Sequence, residues 1–443
     1  MNKKPKIAIA IIANRFEAGG ERYEALRTAA ADWMQKEHFD YLSQSVMVWD
    51  SADALRVCAE IEAQDADVLM LIHASWVQDS IQHIFTNRLK LPTILFAVPY
   101  VETFSLACAQ HYAAQLKRYA LPYKVIFGMP GSDDVSAEVR SFILAAAAYK
   151  NLRNSVAGVI GPRQTFRVSA AQDMTMEEWD FSDAFGTTVV HIETSELLST
   201  ADSVSKEAAA EMMLKLRGRK DIEIMLDDNR LEFCVRVYLA IKQLRDTYGL
   251  TFCAAQCYPN NGGICNLASS LLADEGYILD TEGDLGHAAL MYAYSTFGGS
   301  VACLSETGGL TPQYMYLEHE GSTALTLKTE GFKATLRECG DGSMLGFTLR
   351  PMKEATIASL GWADGDFTIF TVEGSVVPVD TGVWQALEGR FLGAFNAASM
   401  SPKEMHAHMV CLGVDHHFAL KEGNHAGCLE ELCGMLGIKY KTI

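Results

Sequence analysis

Two consecutive parallel-sheet α/β domains followed by an antiparallel β-rich C-terminal domain are what this sequence predicts. Three observations carry that expectation: two successive series of short apolar runs spaced by helical segments, and a change of texture near residue 320. In the first series, Ile7–Ala13, Val68–Ile72, Thr93–Ala97 and Lys124–Phe127 read as buried strands. Glu21–Trp33, Ala52–Ile61 and Val101–Leu116 read as the helices between them. Continuous apolar strands alternating with helices make a parallel sheet covered on both faces. This domain is placed at 1–150. A second series begins at Ala157-Gly158-Val159-Ile160-Gly161 and continues through Thr188–Ile192, Ile222–Met225 and Phe252–Ala255. Ala208–Leu216 and Leu231–Tyr248 supply its helices, and it is placed at 151–320. Beyond that point Thr323–Lys328, Lys333–Arg337, Gly346–Arg350, Thr356–Leu360 and Phe367–Val372 are short, partly alternating and separated by glycine-bearing turns such as Cys339-Gly340-Asp341-Gly342. A sandwich or barrel over 321–443 is expected, closed by a helix at Ala426–Leu436 and a strand at Ile438–Ile443.

The 443 residues are too many for one ordinary core. A net charge of −18 leaves no basic face for nucleic acid. No apolar stretch approaches the ~20 residues that span a bilayer. Lys3, Lys4 and Lys6 before Ile7–Ala13 imitate a secretion signal, but Asn14, Arg15 and Glu17 follow with no cleavage pattern, so a first β-strand is the better reading. Eleven cysteines, scattered and odd in number, fit free thiols in a reducing cytoplasm. Cys253, Cys257 and Cys265 fit no common zinc spacing and read as buried thiols. Gly19-Gly20 after the first strand does not make a dinucleotide fingerprint.

The chemistry concentrates in Glu282-Gly283-Asp284, in Glu306 24 residues on (282 to 306), and in His319, with His416-His417 late in the chain. Two carboxylates and two imidazoles hold a divalent cation, and carboxylate-rich ligation favours Mn²⁺ or Mg²⁺ over a structural Zn²⁺. Asp284 falls where a helix N-cap is needed, ahead of Leu285–Phe297, and is assigned that structural role before a metal role. Glu282 alone would pass for a solvated loop residue. Glu306 follows the apolar run Ser300–Leu304, with Gly308 and Gly309 leaving room for a ligand. His319, between Glu318 and Glu320, also reads as an exposed histidine with acidic neighbours. His416–Leu420 reads as a strand, so alternation lets at most one of His416 and His417 face a site. His406 and His408 compete with them, His287 reads as packing, and His425 as the start of the last helix. Arg15, Arg163 and Arg167 lie at C-terminal strand ends, where α/β proteins bind ligands, and serve equally as surface arginines.

The stretch Cys265–Asp284, with Leu271-Leu272-Ala273-Asp274-Glu275-Gly276 leading into Glu282-Gly283-Asp284, resembles the L-fucose/L-arabinose isomerase superfamily, nearest its shorter fucose-isomerase-related branch. The resemblance implies that Glu282 and Glu306 bind the metal and flank the reacting C1–C2 unit. It implies that His319 and His417 are ligands, His417 as the second of a His-His pair. It further implies Mn²⁺ or another divalent cation such as Mg²⁺ or Co²⁺, a small-molecule sugar partner, and a closed homo-oligomer in which an N-terminal domain borders a neighbour's metal site. The expected function is therefore aldose–ketose isomerisation of a pentose, a deoxyhexose or a modified hexose, sulfonated for example, with Arg15 and His416 as candidate substrate contacts. Either a cis-enediol route or a metal-assisted hydride shift serves. A non-catalytic sugar-binding protein and a metal-dependent aldolase are the competing readings.

Overall fold

The computed structural model describes residues 4–44, 46–161, 176–257, 262–321, 323–386 and 390–443. Arg163 and Arg167 lie outside the described residues. The chain divides into two compact units, one comprising Asn2–Lys150 with Gly427–Met435, the other comprising Asn151–Ala426 and Leu436–Ile443 with the single residue Met1.

The first unit alternates β1 (Lys6–Ile12), α1 (Tyr23–Lys36), β2 (Asp40–Ser43), α2 (Ser51–Glu62), β3 (Val68–His73), α3 (Asp79–Leu89), β4 (Thr93–Ala97), α4 (Ser105–Arg118), β5 (Tyr123–Phe127) and α5 (Asp133–Arg153). The five strands form a wholly parallel sheet in the order β2-β1-β3-β4-β5. Strands β1, β3 and β4 are almost unbroken apolar runs because both faces are covered. Helix α2 starts where Asp50 accepts the N–H groups of Ala52 and Asp53.

The second unit opens with β6 (Val156–Ile160), α6 (Glu178–Phe185), β7 (Thr188–Ile192), α7 (Thr194–Ser203), α8 (Lys206–Gly218), β8 (Ile222–Ile224), α9 (Asp228–Tyr248), β9 (Phe252–Ala255), α10 (Asn266–Asp274), β10 (Leu279–Asp280) and α11 (Leu285–Ser295). Its parallel sheet runs β10-β9-β6-β7. Then follow β11 (Cys303–Leu310), β12 (Met315–His319), β13 (Ala334–Cys339), β14 (Gly342–Gly346), β15 (Met352–Ala363), β16 (Asp366–Val377), α12 (Thr381–Ala386), β17 (Phe391–Ala397), α13 (Pro402–Leu412), β18 (His417–Glu422) and, after α14 (Ala426–Leu436), whose Gly427–Met435 belongs to the first unit, β19 (Lys439–Thr442). The antiparallel strands run β15-β18-β11-β12-β17-β16, and a further β15–β16 pairing closes them into a barrel that β19 extends. Met315, Leu317, Ile357, Phe395, Phe418 and Leu420 belong to the same core as helices α9 and α10.

The predicted class is the observed one: two parallel α/β layers and an antiparallel C-terminal barrel. Three local expectations change. Ile222–Ile224 leaves the parallel sheet and pairs with β13, in a small sheet ordered β14-β13-β8. Thr323–Lys328 is a 3₁₀ turn at Leu325–Leu327 rather than a strand, with Leu325 and Leu327 in the core. Strand β14 ends at Gly346, so Gly346–Arg350 carries only isolated bridges at Thr348 and Leu349. Among the described residues, no helix is long and apolar enough to cross a membrane.

Candidate metal centre

The Glu282 loop is set by a buried carboxylate two residues earlier. Asp280, at the end of β10 and fully buried, accepts the N–H groups of Glu282 at 3.0 Å and Asp284 at 2.7 Å through Oδ1. Gly283 takes φ +78° between them, which a glycine adopts without cost. Asp284 caps α11 as expected, its Oδ1 accepting the His287 N–H at 2.9 Å. Its other oxygen does more. Oδ2 lies 2.8 Å from His287 Nδ1 and 2.9 Å from His417 Nδ1, with all three residues buried. Burial pushes the Asp284 carboxyl upward, but the two imidazoles, His287 foremost, outweigh it and hold the group well below the usual carboxylate range. His287 is therefore part of the site's scaffold as well as packing. Its Nε2 accepts the Leu360 N–H at 3.3 Å, leaving Nδ1 as the donor to Asp284.

With Nδ1 engaged by Asp284, the Nε2 of His417 is the free face of that ring. It lies 3.6 Å from Glu282 Oε2, while His319 Nε2 lies 3.5 Å from Glu282 Oε1. Neither Nε2 is exposed, and among the described residues neither has a hydrogen-bond partner. The Nδ1 of His319 sits 3.2 Å from the backbone of Gly321. His319, one of the residues that reads as exposed in the sequence, is buried because β12 carries it into the barrel wall opposite Phe391. Strand β11 sets Glu306 directly across from His417 on β18 and from Glu318 on β12. His416 Nε2 lies 3.7 Å from Glu306 Oε2. Alternation does not separate His416 from His417, since the strand begins only at His417; the two rings lie 4.3 Å apart, and both reach the cluster.

Two metal-capable groups result, Glu282–His319–His417 and Glu306–His416–His417, each with ligand atoms within 4.8 Å of one another and sharing His417. A third, Asp284–His287–His417, is the hydrogen-bonded support behind them. Burial, with the charge of Glu306 second, pushes the Glu282 carboxyl up to about 8. Burial also raises Glu306. Burial, then His417, pulls His319 down to about 3, and burial lowers His417. A water-poor cluster of carboxylate and neutral imidazole is the donor set that a divalent cation satisfies.

Five of the six residues singled out in the sequence, Glu282, Glu306, His319, His416 and His417, come together here. Arg15 lies in the first unit, exposed, its guanidinium 5.1 Å from the centre of the Trp49 ring. His406 and His408 sit on α13 and join no metal-capable group among the described residues. No such group includes a cysteine; Cys253, Cys257 and Cys265 are buried free thiols. Sequence reading missed Asp280 and the bridging role of Asp284. The alternation Asp280-x-Glu282-x-Asp284 was the available signal.

A cavity of about 280 Å³ adjoins the cluster, with Glu282, Asn266, Thr281, Glu320, Cys257 and Cys339 among its walls. Arg390 neutralises part of the nearby acid, at 3.2 Å from Glu320 and 3.8 Å from Glu318.

No family model matches the chain. A sulfoquinovose isomerase from Clostridium sp. (strain MSTE9) is 24% identical over 269 residues, 57% of this chain and 58% of that protein. The match thus spans less than two thirds of that relative's length. Among solved structures, an ABC-transporter solute-binding protein from Burkholderia multivorans is 14% identical, over 67% of this chain and 93% of that one, with a TM-score of 0.20. A periplasmic solute-binding protein from Actinobacillus succinogenes with bound D-allose is also 14% identical, over 66% and 92%, with a TM-score of 0.20. At those scores the structural likenesses carry no argument, and the sequence match to a sugar isomerase is the informative comparison.

Proposed function

We propose that the protein is a metal-dependent aldose–ketose isomerase acting on a pentose, a deoxyhexose or a modified hexose such as a sulfonated one. The observation that carries this reading is the pair of buried, unpartnered Nε2 atoms of His319 and His417 closing on the single carboxylate of Glu282. The sugar-isomerase relative supports the reaction class.

Glu282, His319 and His417 would hold the ion, with Glu306 completing the set. When bound, a divalent cation such as Mn²⁺, Mg²⁺ or Co²⁺ polarises the carbonyl and the adjacent hydroxyl of the opened sugar. Asp284 fixes the His417 ring through Nδ1, so that Nε2 and not Nδ1 faces the ion. One of Glu282 and Glu306 takes the proton from C2. The C–H electron pair becomes the C1–C2 double bond of a cis-enediol, O1 gains a proton, and return of a proton to C1 with loss of one from O2 gives the ketose. The burial that raises both carboxyls brings them nearer the operating pH, which suits groups that both take and give protons.

The test is a screen of neutral and anionic aldoses for ketose formation by the Mn²⁺-loaded protein, run in D₂O. Deuterium at C1 of the ketose is the expected outcome. Complete transfer of the C2 hydrogen without solvent label would replace the enediol by a hydride shift. Full turnover after chelation, with metal absent by elemental analysis, would remove the ion from the reaction.

A further inference from the structure

Glu320 is an acid that the proposed mechanism leaves without a task. It follows His319 directly, one residue past the end of β12, and it lines the cavity that Glu282 also lines. Its neighbour holds the chain there. A Cβ at Gly321 would lie 2.9 Å from the Thr281 side chain and 3.1 Å from Asn266 Oδ1, so only a glycine lets the backbone pass this close to them. Asn266 and Thr281 are themselves buried, and both line the same cavity. His319 thus gives its ring to the metal cluster, and the next residue gives its carboxylate to the adjoining space.

Both oxygens of Glu320 are anchored. Oε1 lies 3.2 Å from Arg390 Nη2, and Oε2 accepts the Cys339 thiol at 3.4 Å. Burial, then the charge of Glu320, pushes that thiol up to about 11, so at neutral pH it remains a donor. Arg390 divides its charge between Glu320 and Glu318, the latter at 3.8 Å. Each carboxylate oxygen has room for about two donors, so these anchors fix the group without filling it. The cavity walls are carboxylate, amide, hydroxyl, thiol and glycine, and no basic side chain stands among the described residues that line them. Such walls suit a ligand rich in hydroxyl donors. The volume of about 280 Å³ lies at the small end of ligand pockets, which begin near ~300 Å³.

We propose that Glu320 is a specificity-determining residue, whose carboxylate accepts a hydrogen bond from one hydroxyl of the open-chain sugar beyond the reacting C1–C2 unit. A charged acceptor already held by Arg390 and Cys339 binds a hydroxyl more strongly than a mobile side chain does. A sugar that lacks the hydroxyl, or carries it on the other side of the chain, leaves the carboxylate without its donor. That is the situation in which a polar site discriminates well. The inference rests on the isomerase reading for the position of C1–C2 beside Glu282. It goes beyond that reading by naming the residue that reads the rest of the chain, and by setting any anionic substituent of the sugar away from this wall.

The experiment combines deletion of hydroxyls with variants of Glu320, in the full-length, Mn²⁺-loaded protein. Xylose, arabinose, fucose and glucose are titrated calorimetrically, and the tightest binder is compared with its 3-, 4- and 5-deoxy forms. One deletion should weaken binding at least about tenfold, the scale of a hydrogen bond to a charged group. The same deletion should cost nearly nothing in Glu320→Ala and only part of the full amount in Glu320→Gln, as a direct contact requires. In ketose formation the loss should fall mainly on KM. A Mn²⁺ titration of each variant reports that the fold and the neighbouring His319 are intact. A deletion that costs as much in both variants as in the unmodified protein would overturn the role of Glu320. Binding that depends on Glu320 and one hydroxyl, without turnover of any sugar, would sink the isomerase reading and leave Glu320 standing. Turnover with deletion losses independent of Glu320 would do the reverse, and no binding of any aldose would overturn both.

Discussion

Asp284 is a helix cap by position and a tuning group by contact. Its Oδ2 bridges His287 and His417, and both rings are buried. Asp284→Asn keeps the size and the acceptor oxygen but removes the charge and offers one ring an N–H instead of an oxygen. Loss of such a support behind a ligand histidine typically costs about 10–100-fold in metal affinity, and that is the drop expected in a Mn²⁺ titration of the variant. An unchanged affinity would demote Asp284 to a cap. Under the proposed mechanism, Glu282→Gln and Glu306→Gln act on the reaction itself. Each should lower kcat by at least ~10²-fold, the scale of lost acid–base help. Circular dichroism should show both variants folded, since carboxyls raised by burial and by neighbouring carboxylates do not stabilise the fold. Near-normal turnover in either variant would take that residue out of the mechanism. Glu282 was legible in the sequence as a loop carboxylate beside Gly283, and Glu306 as a carboxylate following an apolar run and preceding Gly308-Gly309, although the structure sets it inside β11. The bridge from Asp284 to His417 was not, since the two lie 133 residues apart in the sequence and only the fold brings them together.

At the scale of elements, the site is a meeting of one α/β loop with three barrel strands. The loop after β10 brings Glu282, β11 brings Glu306, β12 brings His319, and β18 begins at His417. The strands were partly readable from apolar runs and glycine turns. Their partners were not, because antiparallel pairing of β11 with β18 joins distant stretches of chain and leaves no local trace. The expectation that only one of His416 and His417 reaches the site fails because pleat alternation holds only inside a paired strand, and pairing starts at His417. The turn between β13 and β14 offers a test at this scale, since its Gly342 N–H donates to the Gly262 carbonyl at 2.9 Å and the Ser343 N–H to the Gly263 carbonyl at 3.2 Å. Gly342→Ala forces a methyl group against the Gly263 carbonyl, and the backbone has to part. Overpacking of this kind typically costs about 1–3 kcal/mol. A lowered melting temperature together with weaker binding of sugar, but not of Mn²⁺, is expected. A variant with unaltered stability would show that the turns separate freely.

For the whole molecule, the family resemblance leads us to expect a closed homo-oligomer, and light scattering should find a mass that is a multiple of the 48.6 kDa chain. An active monomer at assay dilution would contradict it. Each compact unit holds a buried base whose pKa is pulled down, and in both the contribution to stability rises with pH, over different windows. In the first, His73 is fully buried, its Nε2 paired with Gln82 Oε1 at 2.8 Å, and burial pulls it down to about 4. Between pH 6.5 and about 4 the unfolded chain binds this proton and the folded chain does not, so stability falls as pH falls across that window. The loss amounts to roughly 3 kcal/mol when complete. In the second unit, Lys421 on β18 is buried and donates to the Ser300 carbonyl, and burial pulls it down to about 8, with Glu422 opposing. Between about pH 8 and 10.5 the unfolded lysine stays protonated while the folded one sheds its proton, so this term raises stability as pH rises. Calorimetric scans should therefore show the melting temperature falling in mild acid, an effect that Lys421→Met leaves in place, and a stabilising contribution gained between about pH 8 and 10.5 that Lys421→Met abolishes. A pH profile above 8 that Lys421→Met leaves unchanged would show that the buried lysine does not shape the stability of the fold.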